Sequence, residues 1–255
     1  MAEVDQAQLF EFLCRMGDNT LVLGHWVSEW CGHAPVLEED IALANTALDL
    51  IGQTQMWLGL AAEVEGKGRS ADDLAMLRDV WDFRNVLLVE QPNGDFGQTM
   101  MRQFLFDAWH LEMLGALAGS SHDQIAAIAA KSVKEVQYHV ERSGDTVVGL
   151  GDGTSESHSR MQKALNLLWP YVGEMFAADA VDNAVAAAGI APDPAALRET
   201  YDARVGAVLA EATLSVPEDG FAHKGGKSGF QHSEHLGHLL TQMQWLQRAY
   251  PGASW

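Results

Sequence analysis

Apolar residues recur every three to four positions through most of the chain, and nowhere do they alternate with polar ones over the length of a strand. The first periodic stretch runs from about Asp5, placed as an N-cap, to Trp30. Phe10, Leu13, Cys14, Leu21, Trp26 and Trp30 mark its apolar stripe, and Gly32 and Pro35 end it. A second helix begins near Leu37 and runs to about Glu65. Glu38, Glu39 and Asp40 fill its first turn, where they complement the positive end of the helix dipole, and Gly66-Lys67-Gly68 stops it. A short helix near Ala71–Asp79 leads to an ordered loop, Leu87–Asp95, punctuated by Pro92 and Asn93-Gly94. Long helices follow over about Phe96–Ala118 and Asp123–Val148, then a glycine-rich turn at Gly149–Gly153. A fifth helix, Ser155–Ala178, is kinked or restarted by Pro170. Alanine-rich segments at Val181–Ala188 and Pro194–Leu214, a loop over Pro217–Gly229 and a last helix at Glu234–Tyr250 complete the chain. The pattern predicts an all-α protein whose four long helices form a core bundle, and a single domain over residues 1–255 with additional C-terminal helices.

Composition narrows the functional classes. With 255 residues and 47% hydrophobic positions, the chain is long enough to bury a large core. Its formal net charge of −19 repels nucleic acid and offers no basic patch to an anionic membrane, but suits a more basic protein partner. No apolar run approaches the roughly 18 residues of a membrane helix. Met1–Asp5 is acidic, unlike the basic start of a signal peptide. The two cysteines, Cys14 and Cys31, are placed in one helical segment. They do not form a disulfide framework, so a reducing cytosol fits.

The candidate chemistry lies in the spacing of the long helices. Thr20 precedes Leu50 by thirty residues, and Asp107 precedes Val136 by twenty-nine, as helical hairpins produce. Each hairpin then offers one single position and one i/i+3 pair: Thr20 with Leu50 and Gln53, and Asp107 with Val136 and His139. A di-iron carboxylate bundle uses that layout, filling the pairs with Glu-x-x-His and the single positions with carboxylates. Here the frame is present and the donors are not. Thr20 is neutral, Leu50 and Val136 are apolar, Gln53 is a poor hard-metal ligand, and only Asp107 and His139 remain. Two donors do not hold an iron pair, which needs several carboxylates to balance its charge. Asp107 and His139 are therefore read as a buried polar pair, satisfied by Gln53 or water.

Other groupings are weaker. Asp107-x-x-His110 and Glu135 with His139 are spacings that helix surfaces produce often. His232, Glu234, His235 and His238 form the densest histidine cluster and could chelate zinc. The order is not His-Glu-x-x-His, however, and a capped helix start that packs on the bundle or on a partner is the simpler reading. Cys31 beside His33 lacks a third catalytic member. Gly149–Gly153 lacks phosphate-loop spacing.

Taken together, Gly17-Asp18-Asn19, Glu29-Trp30-Cys31-Gly32-His33-Ala34-Pro35, Leu88–Gly94, Asp107-Ala108-Trp109-His110 and Glu234-His235-Leu236-Gly237 resemble the PaaC family over essentially the whole chain. These are the non-catalytic, ferritin-like subunits of the multicomponent ring-1,2-phenylacetyl-CoA epoxidase. The resemblance implies a homologous catalytic partner holding the di-iron centre and the CoA ester, other complex subunits, and a reductase with flavin and iron–sulfur groups. It implies a cytoplasmic role in aerobic phenylacetate breakdown and no metal or cofactor in this chain. The catalytic subunits carry a Glu on the first helix, Asp-Glu-x-x-His on the second, an Asp on the third and Glu-x-x-His on the fourth. Matched to that pattern, the vestigial positions are Thr20, Leu50, Gln53, Asp107, Val136 and His139; Asp107 and His139 retain it, and Asp49 and Gly52 keep the frame. Alone, the chain is expected to self-associate or to be less stable than the pair. Trp26, Trp30 and the Gly32–Pro35 turn are candidates for the paired face, or else belong to the chain's own core. The competing reading is a free-standing di-iron or zinc enzyme of ferritin-like fold using Asp107, His139 and the His232 cluster.

Overall fold

The computed structural model describes residues 4–218 and 220–253. The acidic start Met1–Glu3 and Asp219 of the Pro217–Gly229 loop lie outside them. Ten α-helices follow one another among the described residues: α1 (Gln6–Ser28), α2 (Leu37–Glu65), α3 (Ala71–Met76), α4 (Leu87–Glu90), α5 (Phe96–Leu117), α6 (Asp123–Gly151), α7 (Ser155–Leu168), α8 (Ala180–Ala187), α9 (Arg198–Glu211) and α10 (Glu234–Ala249). Short 3-10 segments occur at Val80–Asp82, Trp169–Phe176 and Pro194–Leu197, and no strand is present among these residues. The protein is all-α, consistent with a ferritin-like helical fold.

Several boundaries differ from expectation, each for a local reason. Helix α1 stops at Ser28, because Trp30, Cys31 and His33 donate their amides in tight turns to Val27, Ser28 and Trp30. Cys31 is therefore exposed in the turn, while Cys14 is buried in α1, so the two cysteines do not share a helix. Asp5 occupies the N-cap of α1, but its side chain caps nothing. The Leu87–Asp95 segment contains a helical turn, α4. Helix α6 continues through Gly149 to Gly151. Pro170 does restart the chain, into a 3-10 segment after α7. Gly66 closes α2 in the left-handed conformation at φ 68°, as a C-terminal glycine commonly does.

The described residues fall into two compact units, 4–92 with 224–253, and 93–223. In the first, α1 and α2 pack antiparallel, with Gly17 against Leu58 and Gly24 against Leu50 and Ile51. From Phe12 to Gly24 every residue of α1 is buried, so its polar residues are interior as well. Two of them organise the rest of the unit. Asp18 forms a two-pronged ion pair with Arg78, whose Nη1 lies 3.0 Å from Oδ2, and also accepts the amide of Arg84 at 2.8 Å. Asn19 accepts the amide of Val86 at 2.8 Å. The carbonyl of Arg78 in turn receives Gln244 and Arg248 of α10, each at 3.0 Å. The glycine-rich loop before α10 lies against the same segment. A Cβ on Gly226 would stand 2.6 Å from the carbonyl oxygen of Asn85, so only glycine fits there. In the second unit α5 and α6 form another hairpin, with α7 and α9 packed on both of its helices. Asp95, Thr154 and Asp179 cap α5, α7 and α8 through side-chain oxygens.

Arg78 and Asp18 are both interior, with side-chain exposures of 5% and 0%. Removing one partner strands a buried charge, at a cost of about 3–5 kcal/mol. Arg78→Met is therefore expected to lower the thermal midpoint strongly. Asp18→Leu with Arg78→Met is expected to recover part of the loss, but not all, because the Arg84 amide still loses its acceptor. Thermal denaturation of the two single variants and the double variant measures this coupling, and strictly additive losses would exclude it.

Candidate functional site

The six positions of the metal-site frame are distributed three to each unit. In the first, Thr20, Leu50 and Gln53 are buried on the α1/α2 hairpin. The Thr20 hydroxyl lies 3.0 Å from the carbonyl of Gly17 and 2.8 Å from the Thr54 hydroxyl. Thr54 is also 3.0 Å from the carbonyl of Leu50. The hydroxyls thus satisfy one another and nearby helix carbonyls. Leu50 is wholly enclosed and brings only methyl groups. Nothing in this set carries the negative charge that iron requires.

In the second unit, the buried face of α5 presents Gln103, Asp107 and His110, and that of α6 presents Val136, His139 and Ser143. Helical spacing produces both rows. Asp107 is fully enclosed. Its Oδ1 accepts from Gln103 Nε2 at 2.7 Å, and its Oδ2 from the Ser143 hydroxyl at 3.1 Å. Burial raises its carboxyl to about 6, against the opposing pull of His139 and of these two hydrogen bonds. Burial likewise drives the His110 imidazole down to about 3, reinforced by His139. His110 is therefore neutral at physiological pH. It packs beside Phe106 and Trp109, and neither ring nitrogen finds a hydrogen-bond partner among the described residues. Gln103 and Ser143 were not singled out from sequence. The visible signal was spacing: each lies one helical turn, four residues, from Asp107 or His139.

Among the described residues no three His, Cys, Asp or Glu side chains are grouped to hold a metal ion. The donors present do not fit a dinuclear iron centre, and no step can be derived through one. The C-terminal histidines differ in their surroundings. His232 turns inward, with Nδ1 2.6 Å from Glu90 Oε1, while Glu90 Oε2 accepts the amide of Ser233 at 2.6 Å. Asn85 donates to the same carboxylate at 2.8 Å. His238 is exposed. Glu90, enclosed in α4, thus ties the start of α10 to the α4 segment; the sequence showed it only as part of a loop motif. His33 approaches the Cys31 carbonyl, at 3.0 Å from Nδ1, and sits in an exposed turn. Trp26 and Trp30 are half-buried.

A whole-chain match decides the family. The phenylacetic acid catabolic protein model matches residues 1–255. The chain belongs to that family. It is 49% identical over 248 residues to a 1,2-phenylacetyl-CoA epoxidase subunit of Escherichia coli (strain K12), across 97% of this chain and 99% of that protein. The resemblance carried by the Gly17–Asn19, Glu29–Pro35, Leu88–Gly94, Asp107–His110 and Glu234–Gly237 motifs is therefore met along the full length. Within this phenylacetic acid catabolic family member, Thr20, Leu50, Gln53 and Val136 are all buried, and Asp107 is held by neutral donors.

The carboxyl of Asp107 predicts a pH dependence. Its folded value of about 6 lies above the unfolded value near 3.9, so the folded state binds this proton more tightly. The resulting stability is present below about pH 4 and is lost as pH rises to about 6, an effect of about 3 kcal/mol. Asp107→Asn keeps the shape and remains neutral, and Ser143 can turn its hydroxyl to accept from the new amide. The variant is expected to match the wild type near pH 4 and to exceed it in chemical-denaturation stability at pH 7–8. A stability difference independent of pH would contradict the assignment.

Proposed function

We propose that this chain is a structural, non-catalytic subunit of a 1,2-phenylacetyl-CoA epoxidase in aerobic phenylacetate catabolism. In this reading it pairs in the cytoplasm with a homologous subunit that holds the di-iron centre and the CoA ester. Electrons arrive from a reductase with flavin and iron–sulfur groups. The observation that carries the reading is the 49% identity, over nearly the full length of both chains, to a protein named as a subunit of that enzyme. Leu50 and Val136 support its non-catalytic part. Both are wholly buried, at positions where a metal-binding frame needs carboxylates. No helix of the described residues is long and apolar enough to cross a membrane, which accords with a cytoplasmic complex.

Oxygen activation needs a redox metal or an organic cofactor. The chain expressed alone in iron-supplemented medium is expected to contain no stoichiometric iron and to leave phenylacetyl-CoA unchanged in the presence of reductase. Mixed with the di-iron subunit, it is expected to form a stable complex visible by size-exclusion chromatography with light scattering. Elemental analysis finding about two irons per chain, or turnover by the partner-free chain, would sink this reading.

A further inference from the structure

The outward face of α2 is apolar and uncovered. Leu37, Ile41 and Leu48 are 71%, 53% and 70% exposed, and Val36, which precedes the helix, is 54% exposed. At about 100° per residue, positions 37, 41 and 48 fall within about 40° of one another around the helix. They form one stripe about 16 Å long, from a rise of about 1.5 Å per residue. Isolated exposed leucines are ordinary, but three large aliphatic side chains aligned on one face mark an interaction surface. Trp26 and Trp30, the sequence-based candidates, are half-buried by comparison.

Charge selects the occupant. No Lys or Arg occurs between Arg15 and Lys67, whereas α2 alone carries Glu38, Glu39, Asp40, Asp49, Glu63 and Glu65. The Asp40 carboxylate is turned back to the Gly32 and Ala34 amides, at 2.7 and 3.3 Å. Glu38 stands exposed about a quarter-turn from the stripe. A second copy of this chain would set the same acids opposite themselves, and an anionic lipid surface would be repelled in the same way. A basic-rimmed protein surface meets neither penalty, and its charges would steer encounter and fix register.

We propose that the α2 face carrying Leu37, Ile41 and Leu48 docks a partner protein whose complementary surface is a helix face of apolar side chains rimmed by Lys or Arg. On the reading under Proposed function, that partner is the di-iron subunit.

The test compares the wild type with Leu37→Ser/Ile41→Ser/Leu48→Ser for binding to the di-iron subunit. Their exposed positions leave the core of the variant untouched, and its thermal midpoint checks folding. The affinity is expected to fall about 100-fold or more, as loss of central anchors does. Hydrogen exchange on the wild-type complex is expected to slow at residues 37–48. Glu38→Lys is expected to slow association at low salt, with the difference shrinking at high salt. Unchanged affinity in the triple variant with no added protection over 37–48 would overturn the docking face and leave the subunit reading standing. A wild type that does not bind the di-iron subunit would overturn both. Self-association of the wild type that the triple variant abolishes would overturn the choice of partner in favour of a second copy.

Discussion

A carboxylate in the middle of a buried helix has to be neutralised, and the unit formed by residues 4–92 and 224–253 is arranged around meeting that requirement at Asp18. Arg78 supplies the counter-charge and Arg84 a backbone amide. Fixing Arg78 fixes the path of the chain from α3 to α4, since Asn19 takes up the Val86 amide beside it. It also fixes α10, whose Gln244 and Arg248 donate to the carbonyl of Arg78, Arg248 pairing with the Asp79 carboxylate as well. Residues more than a hundred positions apart are thereby joined through one arginine, its guanidinium on Asp18 and its backbone carbonyl on α10. Glu90 repeats the device on a smaller scale, collecting Asn85, His232 and the Ser233 amide on a single enclosed carboxylate. Such pairs add less net stability than their geometry suggests, because desolvation offsets the attraction. What they contribute is register: this placement of the segments gives each of these buried charges a partner.

The two hairpins use a common logic to satisfy the polar groups they enclose. On α1 and α2 the polar atoms close on one another, hydroxyl to hydroxyl and hydroxyl to helix carbonyl. On α5 and α6 a carboxylate survives, but its partners are an amide and a hydroxyl, and burial holds its proton until near pH 6. In the assembly proposed for this chain, its worth lies in its surfaces. An acidic, apolar-striped α2 is consistent with that role, since a surface rich in one sign of charge discriminates against self-pairing while leaving the apolar anchors to supply affinity.

The helical spacing and the long hairpins were legible in the sequence, because each depends on residues a few positions apart. An i/i+3 pair reads Leu-x-x-Gln or Val-x-x-His whatever surrounds it, and a helix that buries one side must show the 3.6-residue period. Helix ends were less legible: Ser28, not Trp30, ends α1, and Gly151, not Val148, ends α6, since neighbouring turns and packing outweigh local propensity there. The C-terminal histidines illustrate the limit. Their spacing left zinc open, and only the fold could bring Glu90 to His232 from 142 residues away.

By itself, then, the sequence determined that the chain is all-α and acidic, since composition and short-range spacing decide those properties. Only the tertiary structure decided which buried polar groups meet. Asp18 with Arg78, Asp107 with Gln103 and Ser143, and Glu90 with His232 each depend on burial, and burial depends on how distant segments pack. It also decided that Leu37, Ile41 and Leu48 lie outside while Leu43 and Leu50 of the same helix lie inside. On a helix apolar over most of its circumference, periodicity alone does not say which side meets the core.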